Sequence, residues 1–198
     1  MRILVDTREQ NPFTFKGYEA DPEPATLPIG DYSLPGFTDR AAIERKELND
    51  LISCLMNGNR ERFERELARG RHYDLFAVVV EASLADVSQA RYRSDMRPQA
   101  ALQSIITFQV RYRVPFVWAG NRTGAEYMTY SFLAKYLREI GERYKLAVKG
   151  QHEKEKAATT AKLMRARYPR PPPGKRLSDA DQGNWIYQED LETDDPPF

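Results

Sequence analysis

The sequence predicts an α/β domain with a central β-sheet flanked by helices. Three observations predict it. Residues 75–81, Leu-Phe-Ala-Val-Val-Val-Glu, form a continuous apolar run closed by an acid, the pattern of a central strand buried on both faces. Leu48, Leu51, Ile52, Leu55 and Met56 recur at the spacing of one helical face. Strand-like and helix-like segments then interleave in the order βββ-α-α-β-α-β-α as far as residue 148.

Taken in order, Arg2-Ile3-Leu4-Val5-Asp6 reads as a short strand ending in an acid. Residues 7–24 are rich in Pro, Gly and polar groups and read as loop. Residues 25–34 suggest a second strand, weakened by Pro28 and Gly30. Pro35-Gly36 begins a turn, and 41–46 (Ala-Ala-Ile-Glu-Arg-Lys) form a third strand. Helices are expected over 48–56, stopped by Asn57-Gly58, and over 60–69. The strand at 75–81 follows, then a helix over 98–112 with Pro98 in its first turn, a strand at 114–119 and a helix over 123–145. Residues 151–168 are helix-forming and basic, 169–173 are a Pro-rich linker, and the remainder is acidic.

Composition bounds the function. No apolar run is long enough to span a bilayer, and the N-terminus turns polar too soon for a signal peptide, so a cytoplasmic, nucleoid-associated protein is expected. The single cysteine, Cys54, excludes an intrachain disulfide and a multi-cysteine metal centre, and His72 and His152 are isolated. The net charge of +1 hides an asymmetry. Seven of the 29 acids lie in residues 177–198, which hold no Lys or Arg, so the first 176 residues carry 30 basic and 22 acidic groups, a net of +8. A basic body suits a polyanion or is simply a solvated surface. The acidic tail is expected to compete with such a polyanion or to bind a separate basic protein partner. No Gly-rich phosphate loop is present.

The residues that carry chemistry lie between 31 and 50. If the strands at 25–34 and 41–46 pair about a turn centred on residues 37–38, the numbers of paired residues add to 75. Asp31 and Glu44 meet that condition and would face each other with Cβ atoms about 4.5–5.5 Å apart. Opposed acids repel, and a cation between them relieves the repulsion. Mg²⁺, a hard ion that takes carboxylate oxygens, suits the pair. Lys46, two residues beyond Glu44, falls on the same strand face, and Asp50 sits one helical turn later. Singly, Asp31 is an ordinary turn residue after Gly30, and Glu44, Lys46 and Asp50 are ordinary surface ion-pair members. As a set their spacing converges on one spot.

Gly30-Asp31-Tyr32 followed by Glu44-Arg45-Lys46-Glu47-Leu48-Asn49-Asp50 resembles the G-D-x(n)-E-R-K-x(3)-D signature of the XPF-type structure-specific endonucleases, in the PD-(D/E)xK superfamily. Val5-Asp6-Thr7-Arg8-Glu9 is similar to that family's V-D-x-R-E, Arg62-Phe63 with Glu66 to its R-(F/L)-x-x-(Q/E), and Val80-Glu81 to its acid-ended strand. The resemblance covers roughly residues 3–148 and is closest over 3–81. It implies a restriction-endonuclease-like nuclease fold with a mixed sheet over residues 1–148, followed at 149–198 by a basic helix, the linker and a partly disordered tail. It implies hydrolysis of DNA phosphodiesters at branches, flaps or single-strand/double-strand junctions, in repair or recombination, with Mg²⁺ as cofactor and Mn²⁺ as substitute. Asp31, Glu44 and Asp50 would bind the metal, Lys46 would activate water, Arg45 would brace the site or touch DNA, and Asp6 would lie at its edge. Arg8 and Arg62 would contact DNA or pair structurally, and Glu81 would be structural.

The chain departs from many members of that family in lacking helix-hairpin-helix modules, and so resembles a stand-alone bacterial or phage-type member. A catalytically silent scaffold that holds DNA is the alternative; retention of every acid and the lysine argues against it. Arg91, Arg93 and Arg97 cluster in a loop that either meets phosphates or is merely solvated. Tyr127, Tyr130, Phe132, Leu133, Tyr136, Leu137 and Ile140 give helix 123–145 more apolar surface than one face can bury, so a homodimer through this helix is expected.

Overall fold

A computed structural model describes residues 1–167. The Pro-rich linker and the acidic tail lie outside the described residues. Internal packing divides the chain into one unit, Met1–Gly141, and a second from Glu142 onward.

The first unit is built on a mixed six-stranded sheet flanked by helices. Its strands are β1 (Arg2–Asp6), β2 (Asp21–Ala25), β3 (Tyr32–Ser33), β4 (Ala41–Lys46), β5 (Leu75–Val80) and β6 (Phe116–Trp118), in the spatial order β2-β1-β3-β4-β5-β6. β3 is antiparallel to both neighbours, and the remaining pairings are parallel. The helices are α1 (Leu48–Ser53), α2 (Asn57–Gly70), α3 (Leu84–Ser88), α4 (Pro98–Tyr112) and α5 (Arg122–Arg167).

β5 is central, as its apolar run implies, and its alternation divides the core. Phe76, Val78 and Val80 join Leu51, Phe63, Leu67, Ile105 and Phe108 of α1, α2 and α4 on one face. Ala77 and Val79 join Ile3, Phe15, Tyr32 and, from α5, Ala125 and Leu133 on the other. β4 follows the same alternation, with Ala42 in the first cluster and Ile43 in the second. Glu44 and Lys46 therefore share the face of α1 and α2, and Arg45 shares the opposite face.

Several expectations are corrected. Residues 21–24, read as loop, belong with Ala25 to β2. This edge strand hides its pattern behind Pro22 and Pro24, but Asp21 N–H donates to the Met1 carbonyl and Thr7 N–H to the Ala25 carbonyl. The prolines thus fall on the outward parity, where no N–H is needed. The strand expected over 25–34 shrinks to Tyr32–Ser33, because Gly30 turns the chain at φ +74°. A Cβ there would lie 3.0 Å from the Ala42 Cβ and 3.1 Å from the Ile43 oxygen, so only glycine lets the chain approach β4 this closely. Asn57-Gly58, read as a helix stop, opens α2, with Asn57 at φ +49° making the bend after α1. α3 was not expected; its signal is the Ser83/Asp86 capping box. α5 runs through the basic segment that was expected to be a separate helix.

The aromatic stripe on α5 is largely used inside the first unit. Leu133 is buried, Tyr130 packs on Tyr18 at 4.7 Å between ring centroids, and Tyr136 packs edge-on against Phe37 at 5.6 Å. Tyr127 and Leu137 remain exposed, at 55% and 40%.

Candidate active site

The β3–β4 register pairs Tyr32 with Ile43 and Ser33 with Ala42, the relation the turn implies. The ladder ends there, and Asp31, just before it, lies close enough to feel the Glu44 carboxylate without pairing with it in register. Asp31 N–H donates to the Ile43 carbonyl and Asp6 N–H donates to the Asp31 carbonyl, both at 2.8 Å, so the Asp31 backbone is clamped between β1 and β4. Its carboxylate accepts the Arg45 N–H at 2.8 Å. Burial, and next the Glu44 carboxylate, push the Asp31 carboxyl well above the usual carboxylate range; Lys46 and the Arg45 N–H oppose the rise.

Glu44 is buried, and the Lys46 Nζ pairs with its Oε1. The Lys46 ammonium also lies 5.5 Å from the centroid of the Phe63 ring. Burial disfavours that charge, but Glu44 and Asp31 outweigh it, and the lysine is held above its ordinary pKa and charged. A third acid completes the group. α2 buries Phe63 and Leu67 in the core and so presents Glu66, between them, to Glu44. Burial and then Glu44 push the Glu66 carboxyl up to about 7, partly opposed by Lys46 and by the Gly30 N–H. The sequence reading placed Glu66 in the R-(F/L)-x-x-(Q/E) resemblance but gave it no site role. Its signal was its place three residues after Phe63, on a helix whose packing face the sequence does show.

Asp31, Glu44, Lys46 and Glu66 line an open cleft of about 650 Å³. Asp50, in the first turn of α1, is exposed on its wall, as are Arg8, Arg62 and Arg69. Asp6 is buried and fully engaged. Its carboxylate takes Arg8 Nε and Nη2 at 2.7 and 2.9 Å, and the backbone N–H groups of Arg8 and Leu27 at 2.8 Å each. Burial alone would raise its pKa, but these hydrogen bonds prevail and lower it. Arg8 also donates from Nη2 to the Leu27 carbonyl at 2.8 Å, which leaves Nη1 as its nitrogen without a protein partner among the described residues.

Arg45 turns to the opposite face of the sheet. Its Nε donates to Glu81 at 2.6 Å and its Nη1 to Glu9 at 3.2 Å, and all three side chains are under a tenth exposed. Arg122, at the start of α5, donates to the same Glu81 at 3.0 Å and to the carbonyls of Asn11 and Pro12. Both guanidiniums lie over the Phe13 ring, at 5.7 and 4.9 Å. Arg45 is therefore a brace joining β4, β5 and the loop after β1, and Glu81 is structural.

Among the described residues, no three His, Cys, Asp or Glu side chains are grouped so that they could hold a metal ion. The donors in the cleft are chiefly carboxylate oxygens, crowded enough that two carboxyls resist ionisation, with one buried ammonium to offset them. That chemistry fits a hard divalent ion that keeps several waters better than a zinc centre.

Comparison with curated proteins returned no significant sequence match. Solved structures share the fold, among them two of one protein. XPF from Aeropyrum pernix aligns with a TM-score of 0.57 at 22% identity, over 74% of this chain and 70% of that one. The same protein in complex with DNA aligns with a TM-score of 0.55 at 23% identity, over 70% and 66%. The family model for the ERCC4 domain matches residues 5–132, a span that runs from the end of β1 into α5 and holds every acid of the cleft, and the chain belongs to that family of XPF-type nucleases.

Proposed function

We propose that this protein is a divalent-metal-dependent endonuclease that hydrolyses DNA phosphodiesters at branches, flaps or single-strand/double-strand junctions. The observation that carries the reading is the gathering of Asp31, Glu44, Glu66 and a charged Lys46 in one open cleft. Asp31 and Glu44, with Asp50 at the rim, would hold the ion, Mg²⁺ or Mn²⁺. When bound, such an ion offsets phosphate charge and lowers the pKa of a water to make it a nucleophile. Lys46, fixed by Glu44, would hold its ammonium against the scissile phosphate and orient that water. Arg8 through its free Nη1, Arg62 and Arg69 would grip phosphates along the cleft wall. Arg45 would act indirectly, by fixing the backbone N–H that orients Asp31.

Labelled forked, flapped and linear DNA, incubated with Mg²⁺ or Mn²⁺, tests the reading. Wild-type protein should cut branched substrates, and an Asp31→Ala, Glu44→Ala double variant should lose at least a hundredfold in rate (an order-of-magnitude expectation for loss of the metal's charge stabilisation). Identical behaviour of the two proteins would refute it.

A further inference from the structure

The cleft accounts for Arg8, Arg62 and Arg69 but not for a second group of arginines, Arg91, Arg93 and Arg97, in the segment between α3 and α4. This segment bends at residues 92–94, and its exposure alternates strictly. Arg91, Arg93, Asp95 and Arg97 are exposed, and Tyr92, Ser94 and Met96 are half-buried between them. The inner residues are fastened. Tyr92 and Met96 pack on the core, the Tyr92 hydroxyl donates to the Met96 carbonyl at 2.7 Å, and the Ser94 hydroxyl donates to the Met56 sulfur at 3.7 Å. Met96 N–H closes back on the Ser94 oxygen at 3.2 Å.

One bond ties this segment to the site. Arg93 N–H donates to the Asn49 side-chain oxygen at 2.9 Å, and the Asn49 amide donates in turn to Glu47 at 3.3 Å. Asn49 precedes Asp50, so the segment is anchored to the helix turn that forms the cleft's rim. Arg91 is occupied by Asp86 at 2.9 Å. Arg93 and Arg97 make no ion pair among the described residues. A solvated loop has no need of such fastening, which holds the backbone carrying Arg93 and Arg97 in place beside the rim of the cleft.

We propose that Arg93 and Arg97 form a second phosphate-binding arm, which holds the DNA flank on the α1 side of the cleft. The proposal rests on the reading of the cleft as a DNA-cleaving site. It assigns the arm a role in binding and none in the chemical step.

Binding of forked DNA, measured by fluorescence anisotropy in EDTA across a range of salt, tests it. An Arg93→Ala, Arg97→Ala double variant should bind roughly tenfold more weakly at low salt, and the slope of log affinity against log salt should fall by about two, one for each lost phosphate contact. Arg91→Ala, whose charge is already spent on Asp86, should bind like wild type. Cleavage at saturating DNA should be unchanged in the double variant, with KM raised. Wild-type affinity and slope in the double variant would overturn the arm and leave the cleft reading standing. A wild-type protein that does not bind DNA at all would overturn both.

Discussion

Each buried acid of the first unit has a different fate, and pH separates them. Asp6 is ringed by four donors, and its folded-state pKa lies below 3.8, its ordinary value. A depressed carboxyl contributes stability that is present above its unfolded pKa and lost as pH falls through the folded one. Asp6→Asn should therefore cost about 2 kcal/mol at pH 7, and the difference from wild type should vanish as pH drops below 3.8, read from urea midpoints. Glu66 behaves oppositely. Its carboxyl is raised from 4.5 to about 7, so keeping it buried beside Glu44 costs stability that builds up as pH rises between those values. Metal-free Glu66→Gln should match wild type near pH 4 and melt higher at pH 8. Added Mg²⁺ should narrow that gap by stabilising wild type, because a cation relieves the same repulsion. Equal melting temperatures at both pH values would show that Glu66 does not share the charge of the site.

At the level of elements, the site depends on how β4 distributes its side chains. Glu44 and Lys46 go to the helical face and Arg45 to the other, where it locks β4 to β5 and to the loop holding Glu9. Glu81 is the shared acceptor of Arg45 and Arg122, so it ties the start of α5 to the sheet. Removing one partner of a buried ion pair leaves charge uncompensated. Glu81→Ala should destabilise the domain by about 3 kcal/mol, measured by chemical denaturation. Loss below about 0.5 kcal/mol would mean that the pair is screened as a surface pair is.

For the molecule as a whole, the open question is assembly. A homodimer through α5 was expected from its aromatic stripe, but Tyr130, Leu133 and Tyr136 are spent within the first unit, and Tyr136 also donates to Asp74 at 3.1 Å. Tyr136→Glu would therefore damage the domain rather than report on a dimer. Tyr127 and Leu137, both exposed, are the better probes. If α5 pairs two chains, light scattering at micromolar concentration should give twice the 22.9 kDa chain mass, and Tyr127→Glu with Leu137→Glu should halve it without lowering the melting temperature. A monomeric wild type would end the proposal.

Much of this was legible in the residues because it is governed by short-range geometry. The apolar run at 75–80 fixed β5 as central, Pro98 fixed the start of α4, and a turn centred on residues 37–38 fixed the register that pairs Tyr32 with Ile43 and Ser33 with Ala42. Period-two alternation on a strand and loop closure by a short turn need no knowledge of distant segments. What the tertiary structure alone decided is where long side chains end. Glu66 reaches Glu44 because Phe63 and Leu67 seat α2 on the sheet, and Arg45 meets Glu9 and Glu81 because the loop after β1 and the end of β5 reach it on the far face. Asp6 is consumed by Arg8 and Leu27 because the chain before β3 folds back over β1. The edge strand β2 exists only because β1 offers it a partner. These outcomes depend on contacts between segments far apart in sequence, and the energy of a charge is set by what packs around it rather than by its neighbours along the chain.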